Sequence, residues 1–211
     1  FLKYLFSLKK IRLIDKDFFL SSEASTRFRL HYYDFSTLED RKRYIKISKN
    51  NFRELKRTKD FERIALLGTG PSFDEARDYF QVNNLEIVAC NSAIYDEELW
   101  ERGCKVFCFA DPVFHFGNSK EAKRFKNQVI KRFQNENFFI ICPIVAFQIL
   151  VNNWKIDERY IIGFQPSNSN LKLGDEENLL APNSSNIFTE LMIPVASILS
   201  KEIYLGGFDG R

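Results

Sequence analysis

The residues best suited to chemistry in this 211-residue chain form one short turn, Gly68-Thr-Gly-Pro-Ser72. The turn ends an apolar run that starts near Arg63, and a polar stretch of helical character follows it. Two glycines allow a close approach to the backbone, and Pro71 suits the first turn of a helix, where free N–H groups can face an anion. The pattern predicts either a nucleotide or phosphate site at the end of a strand or an ordinary strand-to-helix turn.

Other polar residues follow apolar runs in the same way. Asn91 and Ser92 come after the run ending at Cys90, and Asp111 comes after the run ending at Phe109. In a doubly wound sheet, ligands bind beyond the carboxyl ends of the strands, although each of these residues alone would also suit a turn. The residues predicted to line such a site are Gly68, Thr69, Gly70, Pro71, Ser72, Asn91, Ser92, Asp111, Ser184, Ser185, Asn186, Gly207 and Asp209.

The elements that must position these residues are short apolar strands separated by polar helical stretches. The predicted strands are Arg63–Leu67, Glu86–Cys90, Lys105–Phe109, Phe138–Cys142, Tyr160–Phe164 and Glu202–Leu205, and the predicted helices are Phe73–Phe80, Glu97–Arg102, Ser119–Asn135 and Ile187–Ser200. Most intervals between strands, roughly 20 to 35 residues, suit βαβ crossovers. We therefore expect a doubly wound, mostly parallel, Rossmann-like α/β sheet, with a long lid-like loop over Gln165–Glu177.

The first 60 residues contain neither glycine nor proline, which predicts a mainly helical appendage before a nucleotide-sugar-binding domain at 61–211. Residues 1–14 place cations between apolar positions, a pattern that fits packing on a neighbouring domain or peripheral contact with an anionic membrane. The chain begins at Phe1 and ends just after a strand-like run, so we expect it to be truncated at its C-terminus.

Composition narrows the function classes. The 31 basic residues nearly balance the 28 acidic ones, for a net charge of +3, so the sequence does not call for a nucleic-acid partner. Cys90, Cys108 and Cys142 lie within apolar runs, and the spacing that they form with Cys104 matches no zinc pattern. We expect reduced, buried thiols, no bound metal or cofactor, and a cytoplasmic location peripheral to the inner membrane if the N-terminal segment contacts it.

Four segments of the chain resemble the bacterial sialyltransferases of glycosyltransferase family 42. They are Ile64-Ala-Leu-Leu-Gly-Thr-Gly-Pro-Ser-Phe73, Val88-Ala-Cys-Asn-Ser92, Val106-Phe-Cys-Phe-Ala-Asp-Pro112 and Lys201-Glu-Ile-Tyr-Leu-Gly-Gly-Phe-Asp209, and they occur in the order found in that family. The resemblance covers residues 61–211 and implies transfer of an acidic sugar, sialic acid or Kdo, from a CMP donor to a glycan acceptor with inversion. It also implies a role in bacterial surface glycan synthesis, lipopolysaccharide or capsule.

Carried over by position, Asn91 matches an asparagine of the family's donor site. Ser184, Ser185 and Asn186 fall near a helix start that touches the nucleotide, and Arg211 falls where phosphate-binding tyrosines begin. Thr69 and Asp111 depart from the family, which has asparagine at both positions. The family's catalytic histidine is expected beyond Arg211, which leaves the catalytic base of this chain unknown.

The Gly-x-Gly-Pro-Ser turn is also similar to that of the MptE-like and motility-accessory-factor proteins, which include a pterin pyrophosphokinase. Asp111 suits that group, since a carboxylate could serve magnesium-dependent ATP chemistry. A third alternative is a non-catalytic nucleotide-binding module, and homo-oligomerisation fits any of the three. His115 lies near the predicted ligand edge as a candidate general base, but its flanking phenylalanines equally predict partly buried packing.

Overall fold

The computed structural model describes residues 21–58, 61–167, 174–182 and 186–209, the side chains of residues 21–27 excepted. The helices in these ranges are α1 Ser21–Phe35, α2 Leu38–Thr58, α3 Phe73–Val82, α4 Glu97–Glu101, α5 Lys120–Asn135, α6 Phe147–Asn152 and α7 Ile193–Leu199. The strands are β1 Arg63–Leu67, β2 Glu86–Cys90, β3 Val106–Cys108, β4 Phe139–Pro143, β5 Ile161–Pro166, β6 Leu180–Ala181 and β7 Glu202–Gly206. Short 3₁₀ turns cover Asn91–Tyr95, Ile144–Ala146 and Glu158–Tyr160, and a π-helical turn covers Phe188–Met192.

The strands form one parallel sheet in the order β6-β5-β4-β3-β2-β1-β7. Strands β1 to β6 therefore lie side by side in chain order, and β7 returns to pair with the opposite edge of β1. This is a doubly wound, Rossmann-like α/β fold, as the sequence predicts.

Each strand sends alternate side chains to two separate apolar cores. In β1, Ala65 and Leu67 join the core formed with α3, α4, α5 and α6, whereas Ile64 and Leu66 join the core formed with α7. The alternation follows from the two-residue period of a strand. Because both faces of the central strands are covered, these strands read as continuous apolar runs in the sequence.

Helix α2 closes the edge of the sheet at β5. Over the first half of β5, where β6 does not pair, the Gly163 N–H donates to the Ser48 hydroxyl at 2.9 Å and the Asn51 side-chain amide donates to the Ile161 carbonyl at 2.8 Å. Two α2 side chains thus satisfy backbone groups that an open sheet edge would expose. Helix α2, although it belongs to the segment predicted as an appendage, completes the sheet.

The predicted strands correspond to β1, β2, β3, β4, β5 and β7, with ends that differ by up to two residues. The sequence missed β6, since the apolar run Leu179–Ala181 is too short to mark a strand, and it missed α6. The predicted helix Ile187–Ser200 is a π turn followed by α7. Of the predicted lid-like loop, residues 168–173 lie outside the described residues, while Glu176 and Glu177 form ion pairs with Lys56 and Arg53 of α2.

The four cysteines are free and buried, as predicted. Burial raises the pKa of Cys90 and of Cys104 to about 12, which leaves these thiols protonated and unreactive at neutral pH. Within the described ranges we find no helix with the length and apolar character needed to cross a membrane. Residues 1–14, which carry the predicted membrane contact, lie outside those ranges.

Candidate functional site

The glycines of the turn after β1 are required by the neighbouring chain segment. The Gly68 N–H donates to the Gly206 carbonyl at 2.9 Å, and the Gly70 N–H donates to the Gly207 carbonyl at 2.7 Å. A Cβ atom on Gly68 would lie 2.3 Å from the Gly207 oxygen, and one on Gly70 would lie 2.7 Å from the Asp209 oxygen. The backbone that approaches these glycines closely is therefore that of residues 206–209.

The amino end of α3 is occupied by a carboxylate of the protein itself. Asp209 accepts hydrogen bonds from the Ser72 hydroxyl and from the Ser72 backbone N–H at 3.1 Å. The Ser72 hydrogen bonds lower the pKa of Asp209, so this carboxylate is ionised at neutral pH. A phosphate placed here would face that charge. The turn, with Thr69 exposed at its tip, is better suited to an uncharged base or ribose.

Asn91 has the features of a ligand-binding residue. It follows β2 directly and adopts a left-handed backbone conformation with φ of 49°. Its side-chain Oδ1 is buried and has no hydrogen-bond partner within the described part of the chain. Backbone strain and an unsatisfied buried acceptor both cost free energy, and such costs are concentrated at functional sites. Asn91 is therefore a candidate ligand-binding residue at the carboxyl end of β2.

The 3₁₀ turn that carries Asn91 is held by residues from three helices. Arg132 of α5 donates to the Ile94 carbonyl at 2.8 Å, and the Trp100 indole donates to the Ala93 carbonyl at 2.9 Å. Arg77 of α3, which is 8% exposed, pairs with the Asp96 carboxylate at 2.7 Å. Such a rigid support pre-organises Asn91. Ser92, one residue further along, is exposed.

Asp111 and His115 belong to one closed turn. The Asp111 carboxylate accepts from the Val113 and Phe114 N–H groups at 2.7 Å each, and the His115 Nδ1 accepts from the Asp111 N–H at 2.9 Å. Burial lowers the pKa of His115 to about 4, so the ring is neutral and its acceptor nitrogen is already used. This geometry supports packing, rather than base catalysis, as the role of His115.

A residue that the sequence did not single out, Glu190, lies at the same edge of the sheet. It belongs to the π turn, a feature frequent at functional sites, and its backbone N–H donates to the Asn186 carbonyl at 2.8 Å. Burial raises the pKa of Glu190 to about 7; Asp111 acts in the same direction and Arg29 opposes it. One signal was available, because Glu190 is the only charged residue in Ile187–Ser200.

Glu190 and Arg29 line a small cavity of about 40 Å³. Three prolines contribute to its wall: Pro143 and Pro166 end β4 and β5, and Pro182 follows β6. The cavity lies at the carboxyl ends of β4, β5 and β6, the edge of the sheet where doubly wound folds bind their ligands.

A larger cavity of about 390 Å³ lies at the opposite edge, lined by residues that include Gln81, Glu86 and Gly103. It is next to the amino end of β2 rather than the carboxyl end. Volume alone would favour this cavity. The smaller one is the better candidate, because it lies at the edge where parallel α/β sheets bind ligands and has a partly buried carboxyl, that of Glu190, in its wall.

The predicted site residues thus fall along one sheet edge in strand order. The Gly68–Ser72 turn contacts Gly207 and Asp209, Asn91 follows β2, and Asp111 lies within electrostatic range of Glu190. Asn186 caps the π turn by accepting from the Phe188 N–H at 2.9 Å. Ser184, Ser185 and Arg211 lie outside the described residues. Among the described residues, no group of three or more His, Cys, Asp or Glu side chains is placed to hold a metal ion.

The fold and this edge define the class of the protein as a doubly wound α/β domain with a candidate ligand site at the carboxyl ends of its strands. Comparison of the chain with family models, with curated proteins and with solved structures finds no match. The polar residues at this edge of the sheet are therefore the guide to its function.

Proposed function

We propose that this chain is a glycosyltransferase domain that takes an acidic sugar, of the sialic acid or Kdo type, from a CMP donor and transfers it to an acceptor hydroxyl with inversion. The observation that carries the proposal is Asn91, held in a left-handed conformation with its buried Oδ1 unpartnered in the described part of the chain. Asn91 also falls in a segment that resembles the sialyltransferase donor site. The acidic sugar and a role in bacterial surface glycan synthesis rest on that resemblance.

The proposed ligand would extend along the sheet edge. The nucleoside would lie against the Gly68–Ser72 turn and Asn91, where an uncharged group avoids the Asp209 carboxylate. The sugar would lie further along, toward the strands next to the small cavity. Adjacent strands are separated by about 4.8 Å, so the ends of β2 and β4 are about 10 Å apart, a distance that a nucleotide sugar can span.

Catalysis in this arrangement would consist mainly of positioning and charge stabilisation. The acceptor oxygen would attack the anomeric carbon, and the bond from that carbon to the CMP phosphate oxygen would break. Ser184, Ser185 and Arg211 remain predicted nucleotide contacts. We further propose a cytoplasmic location, with the N-terminal segment as a peripheral membrane contact.

Isothermal titration calorimetry of the full chain with CMP and with ATP, each with and without magnesium, tests the proposal. We expect CMP to bind without a magnesium requirement and more tightly than ATP. Binding of neither nucleotide would overturn both enzyme hypotheses. CMP binding without CMP release from a CMP-sugar would instead favour a non-catalytic binding module.

The alternative function is an MptE-like pyrophosphokinase that uses ATP and magnesium. The observation in its favour is the electrostatic coupling of Asp111 to Glu190, since magnesium in phosphoryl-transfer sites takes one or two carboxylates together with substrate phosphates. For this function Asp111→Asn should abolish magnesium-dependent ATP turnover. Unchanged turnover in that variant would exclude a role for Asp111 in metal binding.

A further inference from the structure

Glu190 lies among groups that make its carboxyl unusual. Its neighbours in the cavity wall are mainly apolar: Pro143, Ile144 and Leu191 are examples. Two charged groups from other elements act on it, Arg29 of α1 and Asp111 of the turn after β3. One cation and one anion thus face a carboxyl group that is largely removed from water.

The size of the cavity limits what can reach this carboxyl. The space in it that water-sized groups can reach, about 40 Å³, is enough for a few water molecules or for the hydroxyl-bearing end of a ligand. Because the cavity opens at the surface, the rest of a ligand would lie outside it and present a hydroxyl to Glu190.

We propose that Glu190 is the catalytic base that accepts a proton from the acceptor hydroxyl during sugar transfer. This inference rests on the proposed function and supplies a base from within the described residues. As the acceptor oxygen bonds to the anomeric carbon, its proton passes to the Glu190 carboxylate. The bond from the anomeric carbon to the CMP phosphate oxygen breaks, and its electron pair leaves with CMP.

The electrostatics agree with this role. Burial and the nearby Asp111 raise the pKa of Glu190 to about 7, with Arg29 opposing them. A general base is most effective when its pKa lies near the working pH, because a useful fraction is then ionised and the ionised form is strongly basic. A fully exposed glutamate, with the ordinary pKa of 4.5, would be a much weaker base.

The test measures CMP release from CMP-N-acetylneuraminate and from CMP-Kdo, with water as the acceptor so that no glycan has to be known. The wild-type chain is compared with Glu190→Gln and with the matched control Glu121→Gln, which alters an exposed glutamate at the start of α5. We expect Glu190→Gln to lower kcat at pH 8 by about 100-fold or more, the usual contribution of a general base, with the control unchanged. The Kd for CMP should stay within about threefold in both variants, since a base contributes little to nucleotide binding.

Two further readouts separate a base from a merely structural residue. The wild-type rate should rise with pH around neutrality, and Glu190→Gln should lose that rise. Glu190→Ala should regain activity when formate is added, because a small carboxylate can occupy the space left by the side chain. Circular dichroism melts of each variant establish that the chain remains folded.

The outcomes distinguish failure of the base assignment from failure of the proposed function. Wild-type CMP release that survives Glu190→Gln with its pH profile intact overturns the base assignment and leaves the proposed function standing. CMP binding without release from either donor by the wild-type chain overturns the base assignment as well. Absence of CMP binding overturns the proposed function and this inference with it.

Discussion

The turn after β1 and the turn after β2 end adjacent strands, yet they treat their polar groups in opposite ways. After β1, Ser72 donates to Asp209, and the N–H groups of Gly68 and Gly70 donate to carbonyls at the carboxyl end of β7. After β2, Asn91 keeps a strained backbone and a buried oxygen that no described group satisfies. The glycine-rich turn has the stronger motif, but the second turn has more capacity to bind a ligand.

This difference shows that a recognisable sequence motif need not be a site that is available to a ligand. In the Gly-x-Gly-Pro-Ser turn, the hydrogen-bond donors of Gly70 and Ser72 are satisfied by Gly207 and Asp209, which follow β7. The turn therefore helps to hold β1 and β7 together. A residue that remains strained and unpaired is a candidate for ligand binding, because such residues are concentrated at functional sites. Glu190 resembles Asn91, because its position in the fold also costs free energy: burial disfavours the charged form of its carboxyl group.

The largest expected effect tests whether the turn after β1 is structural. Gly68→Ala should lower the free energy of unfolding by about 3 kcal/mol, because its Cβ would meet backbone atoms that cannot move aside. Gly103→Ala is the control, since a Cβ there meets nothing within 4 Å and only its φ of +86° opposes the change. That strain should cost about 1 kcal/mol. If urea unfolding gave the same loss of unfolding free energy for Gly68→Ala and Gly103→Ala, the packing of residues 206–209 on the turn would not be a main contribution to stability.

The second prediction concerns the pH dependence of stability at Glu190. The pKa of Glu190 in the folded chain, about 7, lies above its ordinary value of 4.5, so the folded state binds the proton more tightly. The resulting stability is fully present below pH 4.5 and is lost as the pH rises through 7. Relative to Glu190→Gln, the wild-type chain should lose on the order of 3 kcal/mol over that range. Urea unfolding of both chains from pH 4.5 to 8 measures this difference. If the free energy of unfolding changed with pH in the same way in both chains, the Glu190 carboxyl would be hydrated in the folded state.

The third prediction concerns the turn after β2 and tests Asn91→Gly. Glycine relieves the positive φ, so stability should rise by about 0.5 kcal/mol, while CMP affinity should fall about tenfold through loss of the amide. Asn84→Gly is the matched control, because Asn84 has a similar φ of 53° and lies next to the amino end of β2. It should gain the same stability and leave CMP binding unchanged. Unaltered CMP affinity in Asn91→Gly would remove Asn91 from the site.

The smallest effect is expected for Asp209→Asn. Hydrogen bonds from Ser72 lower the pKa of Asp209, so its contribution to stability is present above pH 3.8 and disappears as the pH falls through the lowered value. The variant should therefore lose less stability than the wild-type chain on acidification from pH 4 to 2, as followed by circular dichroism. It should also bind inorganic phosphate more readily, since the carboxylate no longer occupies the amino end of α3. Identical acid unfolding of the two chains would contradict the Ser72–Asp209 contact.

Local patterns were sufficient for most of the fold. Buried parallel strands are continuous apolar runs, so β1 and β2 could be placed to the residue, and helix α5 was visible from its amphipathic pattern. Strand β6, which pairs with Gln165 and Pro166, was missed because the apolar run Leu179–Ala181 is too short to mark a strand. The closing of the β5 edge by Ser48 and Asn51 was equally hidden, because it depends on helix α2 packing against a strand more than 100 residues away in the chain.

The sequence by itself determined six of the seven described strands, the edge of the sheet where a ligand would lie, and the presence there of Asn91 and Asp111, because these follow from local apolar patterns and from the topology of parallel strands. Only the tertiary structure decided which polar groups are already satisfied. Ser72 and Asp209 are separated by 137 positions, and Glu190 is placed by contacts with elements that come before and after β3. Burial and pairing are properties of atoms brought together by folding, so a sequence pattern can indicate the ligand edge but cannot show which of its side chains remain available to bind.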